Sequence, residues 1–598
     1  MFFKIYDKNL NSKNVILLCY NLFSMKKFKI LAELFEKIEK TSSNLKMIDI
    51  LADFLKKVSP EEAKVTAYLL QGKIGPDYEG LELGLAEKLV IKSLSLGLGE
   101  DIKKIEAIYK DIGDLGLVAE KLVKNKKENL TILDVFQELK KIATSQGKGS
   151  QERKIEILAI LVKKSTPIEA KYLIRSVLGT LRLGASEMTF LYALSKILVG
   201  SKDAKKQLEY TFNVLSDLGQ VAYEALSGGI KRIKKIEPQI GIPIRMMLAQ
   251  RVKEIREIKE NIKNEVFVEV KYDGERVQAH LSKDGKVFLY SRRHENITHQ
   301  FPELILSLKK NIIAKSAILE GEVVAVDKDN NLQPFQILMQ RRRKHNVSFY
   351  VEKIPIIYFV FDLIYFDGES LIQRTLEERK KILSEILKEN ERIKLAKYEK
   401  VESLDEDRIE ELFIESIKIG GEGIMIKDVK SFYEAGVRAW KWIKFKKDYK
   451  EELVDTFDVV VIGGIYGRGK RAKSYGSLLV ALYDPKTNKY YSFTKVGAGF
   501  SDEDLENLPK KLDKYKIKEK SKLVDTDVEV DVWFDPKLVM EIKGADLTIS
   551  PVHTALKNKI KIGGIALRFP RFIRWREDKD PTQATTIEEV YQIYKKQN

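Results

Sequence analysis

Apolar residues change their spacing near Pro243, and a single core cannot serve both spacings. From about residue 25 to 235 they recur every three or four positions, as in Leu31, Leu34, Phe35 and Ile38, or Ile155, Leu158, Leu161 and Val162. That is the stripe an amphipathic helix turns toward its neighbours. Beyond Pro243, strand-like runs at 286–290, 317–326 and 354–365 alternate with helical stretches at 376–388 and 408–419. After about residue 450, β-rich segments at 457–462, 477–483, 490–496, 528–534 and 539–542 follow one another between glycine-rich turns. Helical character is expected to return only at 586–596. The glycines show no fixed period, which argues against a solenoid.

With 598 residues the chain has room for several cores. The expected fold class is multidomain α+β. It comprises an all-helical region at 25–235, a mixed α/β region at 240–450 and a C-terminal OB-fold β-barrel at 451–598. Residues 1–24 form an N-terminal extension without an assigned role, and Met25, which heads a periodic segment, reads as the natural start. The apolar stretch 15–23 lacks a small-residue cleavage site, and no run of about twenty apolar residues occurs. Neither a secretory signal nor a membrane span is expected.

Charge narrows the partners. A formal net charge of +18 favours a polyanion. Enrichment in Lys and Glu also marks proteins of hot environments, but that does not explain the positive imbalance. The one cysteine, Cys19, excludes an intramolecular disulfide, and the five histidines form no ligand pattern. A catalytic metal is therefore expected to be a hard cation on carboxylates and phosphates, with Mg²⁺ the default.

The chemistry gathers in the middle region. The run Val266-Phe267-Val268-Glu269-Val270 reads as a strand and delivers Lys271-Tyr272-Asp273-Gly274-Glu275-Arg276. A lysine at the end of a buried strand, before a tight Asp-Gly turn, is placed as a nucleophile. Burial and nearby cations or a metal are expected to push its amine toward the neutral form. A solvated turn with a salt-bridging lysine is the competing reading.

Further along come Tyr290-Ser291-Arg292-Arg293, whose arginine forks suit a phosphate or a surface charge pair, and Glu320-Gly321-Glu322 inside an apolar strand run. Glu322 is favoured there as the functional carboxylate, since a carboxylate among apolar residues needs a cation or a donor. Phe361 in Tyr358-Phe359-Val360-Phe361-Asp362 offers either a wall for a purine or a core residue. Glu422 opens the strand Gly423-Ile424-Met425-Ile426-Lys427. Alternation in Trp442-Ile443-Lys444-Phe445-Lys446 puts Lys444 and Lys446 on one face.

In this order the motifs resemble those of the ATP-dependent DNA ligases, most closely the archaeal and eukaryotic replicative kind within the covalent nucleotidyltransferase superfamily. The set closes with Arg568-Phe569-Pro570-Arg571-Phe572-Ile573-Arg574-Trp575-Arg576-Glu577-Asp578-Lys579, and the resemblance runs from about residue 25 to the C-terminus.

The resemblance implies a helical DNA-binding domain, an adenylation domain and an OB-fold domain that close around duplex DNA. It implies that Lys271 takes AMP from ATP, that AMP passes to the 5′-phosphate of a nick, and that the 3′-hydroxyl then expels it. Such sealing serves replication, repair and recombination. Phe361 would stack on adenine and Glu269 would accept its exocyclic amine. Arg276 and Arg292 would position ribose and phosphates, and Arg438, Lys444 and Lys446 would balance phosphate charge. Glu322, also counted among the nucleotide-binding residues, and Glu422 would hold Mg²⁺, with Mn²⁺ an alternative. Arg576, Asp578 and Lys579 would orient pyrophosphate on closure.

Ser150, at an expected helix cap, and Arg175 and Arg182, beside glycine-punctuated helix ends, are the candidates for DNA phosphates. The segment Leu130–Gln137 is a candidate for docking on a sliding clamp, or else a buried helix. A monomeric, cytoplasmic, nucleoid-associated enzyme is implied. An mRNA capping guanylyltransferase, an RNA ligase and a non-catalytic DNA scaffold are the rivals. The long helical region argues against the first two, and the intact Lys271, Glu322, Glu422, Lys444 and Lys446 against the last.

Overall fold

A computed structural model describes residues 25–597 apart from 125–129, 182, 199–201, 253, 342–346, 403–404, 447–455, 468–473 and 561–562. Residues 1–24 and Arg182 thus lie outside the described residues. The chain divides into two compact units, Met1–Lys447 and Asp448–Asn598.

The first unit begins with helices from Phe28–Glu39 to Leu218–Ile233. Phe28–Glu39 buries Leu31, Leu34, Phe35 and Ile38, the stripe read from the sequence. Its neighbours start at sharp signals. Ser59 caps Pro60–Leu70 in a reciprocal box, its hydroxyl accepting from the Glu62 amide while the Glu62 carboxylate accepts from the Ser59 amide. One detail corrects the sequence reading. The helix Ser150–Lys164 is capped by Gly149 at φ 73°, not by Ser150, which is its first residue.

Two sheets follow within the same unit. Their strands are β1 (Leu248–Arg251), β2 (Val266–Lys271), β3 (Glu275–Leu281), β4 (Val287–Ser291), β5 (Ala317–Ala325), β6 (Ile356–Phe366), β7 (Glu369–Ser370), β8 (Ile393–Leu395), β9 (Tyr398–Val401), β10 (Gly423–Asp428) and β11 (Arg438–Lys446). One sheet runs β1-β11-β10-β2-β9 and the other β4-β3-β5-β6-β7, with β8 beside β6. Strand β6 is buried along its first nine residues, which matches its continuous apolar sequence. An apolar cluster carries Val214 of the helical region together with Met247, Phe361 and Trp442, so helices and sheets share a core there. Arg245 adds to that junction. Its guanidinium stacks 3.9 Å from the Phe212 ring centre and pairs with Glu187 at 2.7 Å.

The second unit is mostly antiparallel β. Its strands are β12 (Phe457–Tyr466), β13 (Tyr475–Asp484), β14 (Lys489–Val496), β15 (Lys516–Ile517), β16 (Val524–Asp525), β17 (Val532–Phe534), β18 (Val539–Lys543), β19 (Asp546–Ser550), β20 (Gly564–Arg568) and β21 (Arg571–Trp575). Their central order is β15-β17-β12-β13-β14-β16, with β18 joining β12 to β21. A helix at Asp502–Leu512 contradicts the expectation of helix only at the end. Ser501 and Asp504 form its capping box, and Leu505, Leu508 and Leu512 enter the core. Pro509 inside the pattern hid it.

Candidate active site

Strands of both sheets line a cavity of about 500 Å³. Lys271 enters from the end of β2, where the chain must turn at once into β3. Gly274 makes that turn fit, because a Cβ there would lie 2.3 Å from the Val323 carbonyl oxygen of β5. The Asp273 carboxylate accepts from the Phe335 amide at 3.0 Å and pins the other side of the turn.

Lys271 Nζ lies 2.6 Å from Glu422 Oε2, and Lys446 reaches the same oxygen. Here the structure corrects the sequence expectation. Burial alone would lower the Lys271 pKa, but Glu422 and Glu322 outweigh it and the amine is held above its ordinary 10.5. In this state Lys271 is an ammonium, held so chiefly by Glu422 and Glu322. Glu422 is correspondingly pulled down to about 2, against its own burial, by Lys271, Asp273 and Lys446. Burial first, and then a hydrogen bond to Glu422, push Asp273 up to about 6.

Glu322 differs from Glu422. It makes no ion pair among the described residues, and burial pushes its carboxyl up to about 7. Glu320, two residues earlier, is fully buried and committed. It accepts from Arg276 at 2.6 Å, Gln278 at 2.9 Å and the Tyr433 hydroxyl at 2.8 Å. That set fixes Arg276, whose second nitrogen donates to the Met247 carbonyl at 2.7 Å while its Nε has no partner among the described residues in the cavity wall.

Cations crowd the opposite side. Arg292, Arg438 and Lys444 all line the cavity and none has an acidic partner within ion-pair distance among the described residues. Burial, then Lys446, Lys271 and the two arginines, push Lys444 down to about 8. Burial, Arg276 and Arg438 lower Arg292 likewise. Such mutual depression marks a cluster built for an anion.

The apolar end of the cavity carries Phe361 and Trp442, edge to face at 6.1 Å. Glu269 lies beside them, 3 % exposed, between Lys380 Nζ at 2.8 Å and Lys427 Nζ at 2.7 Å. The cavity thus gathers Lys271, Glu269, Arg276, Arg292, Glu322, Phe361, Glu422, Arg438, Lys444 and Lys446. Lys380 was missed in the sequence. Its signal is a pair of cations, Arg379 and Lys380, on the buried stripe between Leu376 and Leu383.

The DNA-contact candidates fare differently. Arg175 is 8 % exposed and bound to Asp114 at 2.8 Å and Glu39 at 2.9 Å, so its charge is spent inside the helical region and the phosphate role is withdrawn. The clamp segment is withdrawn too, because Ile132 and Val135 are core residues and Phe136 stacks on Tyr68. In the second unit Arg576 binds Asp458 at 3.0 Å and Asp578 at 2.7 Å, and Lys579 binds Asp458 at 2.7 Å.

Residues 246–446 match the family model described as "ATP dependent DNA ligase domain". Residues 27–195 match "DNA ligase N terminus" and 471–579 match "ATP dependent DNA ligase C terminal region". The chain is 43 % identical over 592 residues to the "DNA ligase" of Aeropyrum pernix, covering 95 % of this chain and 98 % of that protein. The chain belongs to the ATP-dependent DNA ligase family. The ligase is also 44 % identical over 593 residues to the "DNA ligase" of Staphylothermus marinus, covering 95 % and 99 %, so it is of the archaeal kind. A solved structure named "Pmar-Lig_Pre." shares its fold, with a TM-score of 0.53 at 18 % identity over 92 % of this chain and 99 % of that one. Nick sealing through an adenylate intermediate is the mechanism of the family. No helix among the described residues is long and apolar enough to cross a membrane.

Proposed function

We propose that Lys271 carries the adenylate and that the cavity around it holds ATP. The supporting observation is the cluster of Arg292, Arg438 and Lys444, three cations without acidic partners among the described residues, facing a strand-end lysine across one cavity. A triphosphate supplies the anion they lack.

Base and phosphates take opposite ends. Adenine lies against Phe361 with its exocyclic amine on Glu269, and guanine, which presents a carbonyl there, is repelled by the carboxylate. Arg276, fixed by Glu320, faces the ribose. Lys271 loses a proton, and its Nζ attacks the α-phosphorus. The N–P bond forms as the bond to the bridging oxygen breaks and pyrophosphate leaves with the electron pair. A 5′-phosphate oxygen then displaces Lys271 to give the phosphoanhydride. Attack by the 3′-hydroxyl on the 5′-phosphorus forms the phosphodiester and releases AMP.

The residues fit a divalent cation. Glu322 is a half-buried carboxylate that makes no ion pair among the described residues, and Lys271 feels both it and Glu422. Mg²⁺, or Mn²⁺ in its place, would sit on these two and supply charge neutralisation at the phosphates. A cation held there would weaken the contact with Glu422 that keeps the Lys271 proton. For the second unit, an OB-type barrel reading rests on the meander β12-β13-β14 extended by β17 and β18. Arg576, Asp578 and Lys579 remain the candidates for pyrophosphate, and the positive net charge supports DNA binding and a nucleoid location.

Incubation with α-labelled ATP and Mg²⁺ tests the central claim. A labelled adduct at Lys271 that is chased into AMP by nicked DNA, and not by nicked RNA, is expected, with GTP giving none. Lys271→Arg keeps the charge but cannot give up its proton, so a labelled adduct on that variant would overturn the assignment.

A further inference from the structure

One helical turn holds both parts of the base-recognition wall. The helix Leu376–Ile386 starts at a capping box on Thr375 and Glu378 and then buries two consecutive cations, Arg379 at 0 % and Lys380 at 1 % exposure. Arg379 grips Asp362 through two bonds, 2.7 and 3.0 Å, directly after Phe361. Lys380 donates to the Phe361 carbonyl at 3.3 Å and lies 2.8 Å from Glu269 Oε1. Two adjacent buried charges are expensive, and helix packing alone would be better served by apolar residues.

The contacts of Lys380 show what the charge does. Its Nζ stands 4.2 Å over the Tyr398 ring, with Phe267 at 5.6 Å, so aromatic faces fix its position from the back. Lys427 mirrors it on the other carboxylate oxygen, with its Nζ near 4 Å from both the Phe361 and the Trp442 rings. Glu269 Oε1 nevertheless has no directed hydrogen bond, although it is buried and belongs to a cavity-lining residue. A carboxylate bracketed by two ammonium groups, one on each oxygen, offers a base only an acceptor.

We propose that Lys380 is a specificity-determining positioning residue, which aims Glu269 as a pure acceptor so that the enzyme takes adenine and rejects guanine. This rests on the reading of Glu269 and Phe361 as the base site. Lys380 does not line the cavity and acts through Glu269. Without Lys380, Glu269 keeps only Lys427 on its other oxygen at 2.7 Å, and nothing at Oε1 fixes the direction in which the carboxylate meets the base.

The test compares Lys271 nucleotidylation by labelled ATP and GTP in the full chain, as the ratio of kcat/KM values. Lys380→Met is expected to lower the ATP-over-GTP ratio at least tenfold, and Lys380→Arg to restore it to within threefold of wild type. Glu269→Gln, whose amide donates as well as accepts, is expected to lower the ratio likewise and serves if Lys380→Met does not fold. A ratio unchanged within twofold in Lys380→Met overturns the proposal, as does an unchanged ratio in Glu269→Gln if that variant has to stand in. Failure of wild type to form any adduct at Lys271 instead overturns the underlying site reading.

Discussion

Replacing Glu422 by Gln separates the two roles the site gives that carboxylate. Glu422 Oε2 lies 2.6 Å from Lys271 Nζ and is the largest favourable influence on the ammonium. With the Lys271 pKa above 10.5, at most about one molecule in a thousand carries a neutral amine at pH 7.5. Loss of a close opposite charge shifts a pKa by about 1–3 units. In Glu422→Gln the burial and the repulsion from Lys444 remain, so the shift is downward and the neutral fraction rises about 10- to 1000-fold. A small amine-acylating reagent at pH 7.5, without nucleotide, reports that fraction. Peptide mass spectrometry would follow the rate at Lys271 against exposed Lys88 in the same chain. The same variant is expected to form adduct from ATP more slowly, because the proposed cation site has lost a ligand. An amine that becomes more reactive to the reagent and less reactive to ATP would show that Glu422 stores the nucleophile as well as serving catalysis. Acylation of Lys271 unchanged within twofold refutes the view that Glu422 holds its proton.

Other consequences can be measured directly. Glu322, pushed up to about 7, binds a proton more tightly folded than unfolded. Its contribution to stability is therefore full below about pH 4.5 and is lost as pH rises through 7, by up to about 3 kcal/mol. Hydrogen exchange in 271–281 without metal should quicken over that range, and Glu322→Gln should flatten the change; a profile identical in the two proteins would count against it. Asp362→Ala leaves the fully buried Arg379 without its carboxylate and should cost about 3–5 kcal/mol in urea unfolding followed by tryptophan fluorescence. The double change Asp362→Leu with Arg379→Met should recover most of it, and a single-variant loss under about 1 kcal/mol would show the pair is dispensable. Phe361→Ala should weaken ATP binding by about 1–3 kcal/mol, read as a raised KM for adduct formation, and an unchanged KM argues against stacking.

What the sequence disclosed and what it hid have a physical pattern. Periodicity located the helices and the long strands, since β5, β6, β10 and β11 are each a continuous apolar or alternating run. What joined Lys271, Glu322, Phe361, Glu422 and Lys444 in the sequence was the order of the ligase-like motifs, and the structure brings them to one cavity because each sits on or directly beside such a strand. Electrostatics was not legible in the same way. The state of Lys271 depends on Glu422, 151 positions away in sequence and brought beside it by the antiparallel pairing of β10 with β2, in which Gly423 faces Lys271. Arg175 looked like a phosphate ligand from its neighbours in sequence, and Asp114 and Glu39, which neutralise it, come from other helices.

Lys380 is the sharpest case. By itself it reads as a solvated helix residue, and only Glu269, Phe361 and Tyr398 around it give its charge a purpose. A buried cation has to be explained by what it faces. In this ligase two of them, Lys380 and Lys427, face Glu269, which is proposed to take the base's amine, and Arg379 holds Asp362 next to Phe361. The cost in stability of burying Lys380 and Lys427 is the physical reason to assign those two to recognition rather than to folding.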